Sequence, residues 1–375
     1  MKKGEKNKME YPVHVHNMDV KDPFILADPA SKKYYMYANK FVDGVTPTDR
    51  QGTGNTFYAM VSEDLVHWSN PILVFEQNDF WASEDYSGPE VCIKNGKYYL
   101  TAAFSAPGTH RKIQALVADG PLGPFVPVGQ PLTPDAWECM DGTIFTEKDG
   151  QTWLVFAHDW VQVYDGQIAA VPVSDDLTHA TGKPVVLFRG SDADWGDDFM
   201  YSSQNGGGGA ASGPAVYRMA DGSLVILWTN QTPYGDAIGA AKSLTDNILG
   251  PYEQIEKPIW ALGGGHPCLF NWFGNGQLCM ALHCGDKESG FNRLLICEME
   301  EYWRSKLPEV VHEFTGNYRT AMGGHAIVYR QATTPAEDPI FTILEDYGGP
   351  FAKRKVQWAM APETKFKKGK IAERD

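Results

Sequence analysis

Asp22 stands before Pro23, Glu90 follows Gly88 and Pro89, Asp141 precedes Gly142, Ser212 precedes Gly213 and Pro214, and His266 follows Gly264 and Gly265. Each lies at or near the start of a short apolar stretch. Carboxylates, a polar group and an imidazole gathered round one cavity suit acid–base hydrolysis of a glycosidic bond. One carboxylate acts as base and a protonated group serves the leaving oxygen. In the inverting form the pair stands roughly 6.5–9.5 Å apart to admit a water. Ser212 is a poor proton donor, because a hydroxyl pKa is too high for an effective acid at neutral pH. Asp before Pro or Gly is also an ordinary turn opener, so these residues gain meaning only if the fold brings them together.

The elements that would do so repeat. DPFILADPASKKYYMYA begins at Asp22, SGPEVCIKNGKYYLTAAF at Ser87, MDGTIFTEKDGQTWLVFAHDW at Met140, SGPAVYRMADGSLVILWT at Ser212 and GGHPCLFNWFGNGQLCMALHC at Gly264. Each holds a short apolar strand, a tight turn and an aromatic-rich strand, and a third strand rich in small residues follows. The turns at Asn95-Gly96, Asp149-Gly150, Asp221-Gly222 and Asn275-Gly276 supply the positive φ that hairpins need. Unit starts fall roughly 50 to 70 residues apart, which fits blades of about four strands. The order predicts an all-β, five-bladed β-propeller over 15–303, a tail at 1–14 and a C-terminal extension at 304–375 ending in the charged FKKGKIAERD. HAIVYR and PIFTIL read as strand-like pieces of that extension. A β-sandwich or two small barrels would also use short strands, but would not require the repeated order. In a propeller the inner strands converge on one mouth, where residues distant in sequence meet.

Bulk properties exclude more than they select. The chain has 375 residues, is 43% hydrophobic and carries a formal charge of -14, which disfavours nucleic acid and anionic membrane as partners. Six cysteines without a CxxC pair give neither a disulfide framework nor zinc-type spacing. No run reaches the ~18 apolar residues of a membrane span, and MKKGEKNKMEYPVHVHNMDV lacks the apolar stretch of a secretory signal. Cytoplasmic residence is the corresponding expectation.

The five motifs in series resemble glycoside hydrolase family 43, five-bladed propellers active on arabinose- and xylose-containing glycans. The resemblance implies that Asp22 is the inverting general base and that Asp141 orients the acid and raises its pKa. It places His266 near the axis, where family members often hold a water-coordinated metal such as calcium. No other cofactor is implied. Family members carry Glu or Asp directly before the Gly-Pro of blade four, where this chain has Ser212. Glu90 matches a family glutamate and reads as structural or substrate-binding. Trp81 and Trp160 are the aromatics expected to stack on sugar, His158-Asp159-Trp160 is a candidate pocket wall, and Phe80, Tyr86 and Trp228 read as packing.

Three readings answer the missing acid. One of Asp192, Asp194, Asp197 or Asp198, in the loop ahead of Gly206–Gly209, could serve; the substrate's leaving group could need little protonation; or the propeller could bind carbohydrate without cleaving it. The leading expectation is an inverting glycosidase acting on short arabino- or xylo-oligosaccharides. The alternatives are a non-catalytic carbohydrate binder and a propeller used for protein contacts.

Overall fold

The computed structural model of the chain describes residues 9–39, 55–76, 79–196, 209–232, 235–261, 263–274, 276–285, 292–301, 308–313, 326–332 and 340–347. Its strands form five sheets arranged as a five-bladed β-propeller. Blade one runs outward from Phe24–Asp28 through Lys33–Tyr37 and Thr56–Ser62 to Ile72–Glu76, and the two-residue strands His67–Trp68 and Val13–His14 extend the sheet. Blade two is Glu84–Lys94, Lys97–Ser105, Lys112–Ala118 and Val126–Pro127. Blade three is Cys139–Thr146, Thr152–His158, Gln167–Val173 and Val185–Arg189. Blade four is Ser212–Arg218, Leu224–Thr232, Gly235–Ser243 and Tyr252–Gln254. Blade five is Gly264–Asn271, Leu278–Gly285, Asn292–Glu301 and Pro308–Glu313.

Each blade is buried on both faces, which explains why its second strand reads as an unbroken apolar run rather than an alternation. Tyr34 and Met36 point into a cluster with Cys268 and Phe270 of blade five, while Tyr35 and Tyr37 point into one with Tyr86 and Phe104 of blade two. Likewise Leu224, Ile226 and Trp228 pack toward blade three, and Val225 and Leu227 toward blade five. Four hydrophobic clusters thus join every neighbouring pair of blades, the last to the first included. Trp228 fills space between blades three and four, as expected of it, and its Nε1–H donates to Gln254 Oε1 at 3.1 Å. Backbone contacts also close the ring. Val20 N–H donates to Asn292 O (2.8 Å), and Asn292 N–H donates to Asp19 Oδ1 (2.9 Å).

The hairpin at Asn95-Gly96 has both residues at positive φ, +51° and +73°, as a two-residue turn between right-twisted strands requires. Asn275 lies outside the described residues, as do 1–8 and most of 304–375, FKKGKIAERD included. The outermost strand of blade five, Pro308–Glu313, lies past the expected boundary at 303. PEVVHE carries none of the turn signals that mark the other blades. The described parts of HAIVYR and PIFTIL, from Ala326 and from Ile340, fall in an antiparallel pair, Ala326–Ala332 with Ile340–Tyr347.

Candidate active site

The chain reverses at each hairpin, so one mouth of the ring collects the start of every inner strand, the end of every second strand and the start of every third. Most inner strands are bulged at that mouth. Their register slips between Ser87 and Glu90, Met140 and Thr143, Ser212 and Ala215, and Gly265 and Cys268. Inside each slip one residue is left-handed: Gly88 (φ +59°), Asp141 (+54°), Gly213 (+51°) and His266 (+56°). Asp22 (+53°) is the matching residue of blade one. The conformation is costly for any residue with a Cβ, and bulges of this kind re-aim side chains. Three of the five positions hold the residues expected to do chemistry.

This corrects the alignment of blade openings. Ser212 is not the counterpart of Asp22, Asp141 and His266; Gly213 is, and in blade two Gly88 rather than Glu90. Ser212 aligns with Met140, one residue ahead of the left-handed position.

The five left-handed residues, with Asn39 bridging Asp22 and Gly88, form a closed circuit. Asn39 Nδ2–H donates to Asp22 Oδ2 (2.6 Å), and Asn39 Oδ1 accepts from Gly88 N–H (2.6 Å). A Cβ on Gly88 would stand 2.9 Å from Asp141 Oδ1, and one on Gly213 would stand 3.0 Å from His266 Cα. Gly213 N–H donates to Asp141 Oδ2 at 2.9 Å. His266 Nδ1 lies 3.7 Å from Asp22 Oδ1 and 4.0 Å from Asp141 Oδ2. Asp22, Asp141, His266, Ser212 and Trp160 line one cavity of about 340 Å³ at this mouth.

The two hub carboxylates are driven in opposite directions. Burial pushes Asp22 up, but the charges of His266 and His283 and a hydrogen bond from His283 outweigh it and hold the carboxyl well below the usual range. Burial also pushes Asp141 up. His266 opposes the rise, the negative charge of Asp22 adds to it, and the net displacement is upward. Environments that separate two carboxyl pKa values assign one as base and leave the other able to carry a proton.

Several cavity residues went unremarked in the sequence. His283, ending the second strand of blade five, places Nδ1 3.2 Å from Asp22 Oδ1 and Nε2 3.4 Å from Asp236 Oδ2. Burial lowers its pKa, yet the hydrogen bonds and charges of these two aspartates prevail and lift it to about 9. The cationic ring then donates from both nitrogens, so the Asp22 amide, 3.3 Å from Nδ1, has no acceptor there. Arg111, opening the third strand of blade two, also lines the cavity, held by Glu138 (2.6 Å) and Asp159. Position on the strand was the available signal. Asn39 and His283 stand at second-strand ends and Arg111 and Asp236 at third-strand starts, whereas the motifs pointed only to inner strands.

His158-Asp159-Trp160 divides. His158 stacks on Trp137 (ring centroids 4.1 Å apart) and bonds Gln162 and Gln167. Asp159 caps the short helix Trp160–Val163 and pairs with Arg111, which fixes Trp160 as the one of the three in the cavity wall.

Trp81 and Glu90, expected on the substrate, do not line the cavity. Trp81 donates from Nε1–H to Gln114 Oε1 at 2.7 Å and lies under Lys112 Nζ, 5.6 Å from its ring centroid. Glu90 sits beyond the bulge, buried opposite Thr101. Burial lifts its pKa to about 7, with His266 and a Thr143 hydrogen bond opposing and Asp141 adding to the rise.

Of the candidate donor loop, Asp192 is spent on the Arg189 backbone N–H (2.8 Å), and neither it nor Asp194 lines the cavity. Asp197, Asp198 and Gly206–Gly208 lie outside the described residues.

For calcium, the residues at His266 offer one imidazole nitrogen. Among the described residues no group of three or more His, Cys, Asp or Glu could hold a metal ion. That donor set does not fit a directly ligated calcium, which takes six to eight oxygens. His266 Nε2, buried without a hydrogen-bond partner, suits a water.

Known proteins carry the same architecture. The Glycosyl hydrolases family 43 profile matches residues 11–294. The crystal structure of endo-arabinase from Bacteroides thetaiotaomicron superimposes with a TM-score of 0.69 at 31% identity, covering 78% of this chain and 99% of that one. A thermostable family-43 glycoside hydrolase shares the fold, with TM-score 0.66 and 23% identity over 82% of this chain and 96% of its own. Xylosidase/arabinosidase 43A of Humicola insolens is 28% identical over 142 residues, 38% of this chain and 36% of that protein. The extracellular exo-α-(1→5)-L-arabinofuranosidase ArbA of Cellvibrio japonicus is 26% identical over 144 residues, 34% and 40% of the two chains. The chain thus aligns with less than half the length of these curated relatives. The family match begins ahead of blade one and ends inside the third strand of blade five, so it takes in every hub residue described above, and this chain belongs to Glycosyl hydrolases family 43.

Proposed function

We propose that this glycosidase hydrolyses arabinose- or xylose-containing oligosaccharides with inversion of the anomeric carbon. Asp22, held ionised by His283 and His266, takes a proton from the attacking water. Asn39 fixes its other oxygen, so the carboxylate presents one orientation. Asp141 acts from across His266 on the position and proton affinity of the group that serves the leaving oxygen. Trp160 offers an aromatic wall for a sugar ring, while Arg111 and Ser212 offer hydrogen bonds to hydroxyls. The observation that carries this reading is the opposite displacement of the Asp22 and Asp141 carboxyls on either side of one imidazole. The activities named for the relatives, endo-arabinase, arabinofuranosidase and xylosidase/arabinosidase, support the substrate class. No step is assigned to a metal.

Ser212 at the family's acid position favours a second reading, a propeller that binds sugar without cleaving it. Turnover of p-nitrophenyl α-L-arabinofuranoside and β-D-xyloside separates the two, since that leaving group departs without a proton donor. The wild type is expected to release nitrophenol, and Asp22→Asn to reduce the rate at least ~10²-fold. Sugar-induced thermal stabilisation with no turnover in either protein would establish the binder.

A further inference from the structure

Most polar groups lining the cavity are engaged by the protein itself. Asn39 bonds Asp22 and Gly88, and Asp85 Oδ2 accepts from the Ser105 hydroxyl at 2.7 Å. Asn230 donates to Gly190 O at 3.1 Å and accepts from Gln231 N–H at 2.9 Å. Two groups on blade four differ. Gln231 lines the cavity and is half-buried, yet among the described residues nothing bonds its side-chain amide. Asp236 also lines the cavity, and its side chain is 33% exposed. Its Oδ2 lies 3.4 Å from His283 Nε2, while no described group bonds Oδ1. Half-buried polar groups are normally paired, so two such groups side by side in a pocket mark hydrogen bonds that a ligand would complete.

Strand register puts the two together and sets their direction. Gln231 and Asp236 stand directly opposite in the antiparallel pair of blade four, so their Cβ atoms are roughly 4.5–5.5 Å apart and their side chains leave the same face. Thr229 and Ile238, two residues along each strand, share that face. Thr229 Oγ1 accepts from His266 N–H at 2.8 Å, so the face looks toward blade five and the hub. Gly265 lets Asp236 settle there, since a Cβ on it would stand 3.2 Å from Asp236 Cβ and 3.4 Å from Oδ2. The Thr232 hydroxyl, donating to Gly235 O at 2.9 Å, ties the two strands just beyond the pair.

His283 fixes what this pair can do. Its cationic ring fills the gap between Asp22 and Asp236 and donates to Asp236 Oδ2. The Asp236 carboxylate is thereby held as an acceptor, and a sugar must lie on the cavity side of the three residues rather than between them. There it meets Asp236 Oδ1, which accepts, and the Gln231 amide, which donates and accepts. Neighbouring acceptor and amide groups on one rigid strand pair match two hydroxyls on adjacent carbons. The same ring lies 3.2 Å from Asp22 Oδ1, so a sugar held by this pair is placed relative to the base.

We propose that Gln231 and Asp236 are the specificity-determining pair of this cavity, binding two adjacent hydroxyls of the pentose that faces Asp22. The proposal rests on the reading of the cavity as a glycosidase site and names how that site selects its sugar. Asp236 Oδ1 accepts from one hydroxyl, and the Gln231 amide bonds its neighbour. In an arabinofuranosyl ring the adjacent ring hydroxyls are those on C2 and C3. In a xylopyranosyl ring they are those on C2 and C3 or on C3 and C4. The C3 hydroxyl belongs to every such pair, so it is the group that Gln231 and Asp236 must hold.

The test is titration calorimetry with methyl 1-thio-α-L-arabinofuranoside and methyl 1-thio-β-D-xylopyranoside, whose sulfur links resist cleavage, and with their 3-deoxy counterparts. The proteins are wild type, Gln231→Met, which keeps the side chain's length, and Asp236→Asn. Wild type is expected to bind at least one of the two sugars ~10-fold or more tightly than its 3-deoxy form. Gln231→Met should weaken that sugar ~3–10-fold and Asp236→Asn ~10–100-fold, while the 3-deoxy form binds all three proteins within ~2-fold. Equal losses on both forms would overturn the proposal, because they mark residues that only shape the wall. Equal binding of both forms by wild type, or no binding of either, would overturn it too. Nitrophenol release from the aryl glycosides tests the hydrolase reading separately. Discrimination without release keeps the recognition pair and removes the hydrolase, and release without discrimination does the reverse.

Discussion

Two buried groups at the hub carry the pH behaviour of single residues. Glu90 has its pKa lifted to about 7 by burial, so the folded state retains a proton that the unfolded chain gives up near pH 4.3. Its favourable contribution is complete below that value and is lost as pH rises through about 7. Glu90→Gln is therefore expected to stabilise the protein at pH 8 by up to ~3 kcal/mol and to have little effect at pH 4, as read from urea unfolding at the two values. His283 has a folded pKa of about 9 against ~6.5 unfolded. Its ion pairs with Asp22 and Asp236 contribute fully below pH ~6.5 and are lost as pH rises through about 9. Replacing it by Gln should flatten the melting temperature between pH 7 and 9.5, where the wild type declines. Ser212 shows how a one-residue offset misleads. A serine before Gly-Pro looks like the counterpart of an aspartate before Pro, yet the bulge puts the equivalent backbone conformation on Gly213.

Among the elements, the inner-strand bulge both positions the site and limits it. Gly213 is held at φ +51° with His266 Cα and Nδ1 3.0 and 3.1 Å from where its Cβ would stand. Gly213→Ala is expected to cost ~1–3 kcal/mol and to reduce turnover by displacing His266; thermal melts and initial rates check the two effects. Repeated turns and apolar second strands made the blades legible, because a strand buried on both faces cannot alternate and a tight hairpin needs Asn-Gly or Asp-Gly. The meeting of Asp22, Asp141 and His266 at one mouth was legible for the same reason, since each stands at a fixed place in the repeat. Asn39, Arg111, Asp236 and His283 were not, although the same alternation of strand direction brings them to the mouth. Trp81 stands close to the mouth in sequence, but Gln114 and Lys112 engage its indole off the cavity. Nothing in PEVVHE distinguishes an outer strand from a linker.

At the scale of the whole molecule, the site exists because the ring closes. Asp22 belongs to the first blade and His266 and His283 to the last, more than half the chain away. The contacts that bring them together begin just ahead of blade one, where Asp19 Oδ1 accepts from Asn292 N–H at 2.9 Å. Removing that acceptor leaves a part-buried N–H short of a partner, so Asp19→Ala is expected to cost ~1–3 kcal/mol. It should also reduce turnover although Asp19 does not line the cavity; urea unfolding together with initial rates tests this. An equally destabilising change in the outer strand of blade three should leave turnover at assay temperature nearly unaltered.

In the proposed reaction, Asp22 holds the water that attacks the face opposite the leaving group. Proton NMR of the first-formed sugar during hydrolysis of an aryl arabinofuranoside or xyloside by the wild-type protein reads that stereochemistry directly. The proposed inversion requires the product to appear with the opposite anomeric configuration before mutarotation, with no methyl glycoside formed when methanol is added. A product of retained configuration, or transfer to methanol with retention, would mean a covalent glycosyl-enzyme step and would contradict it.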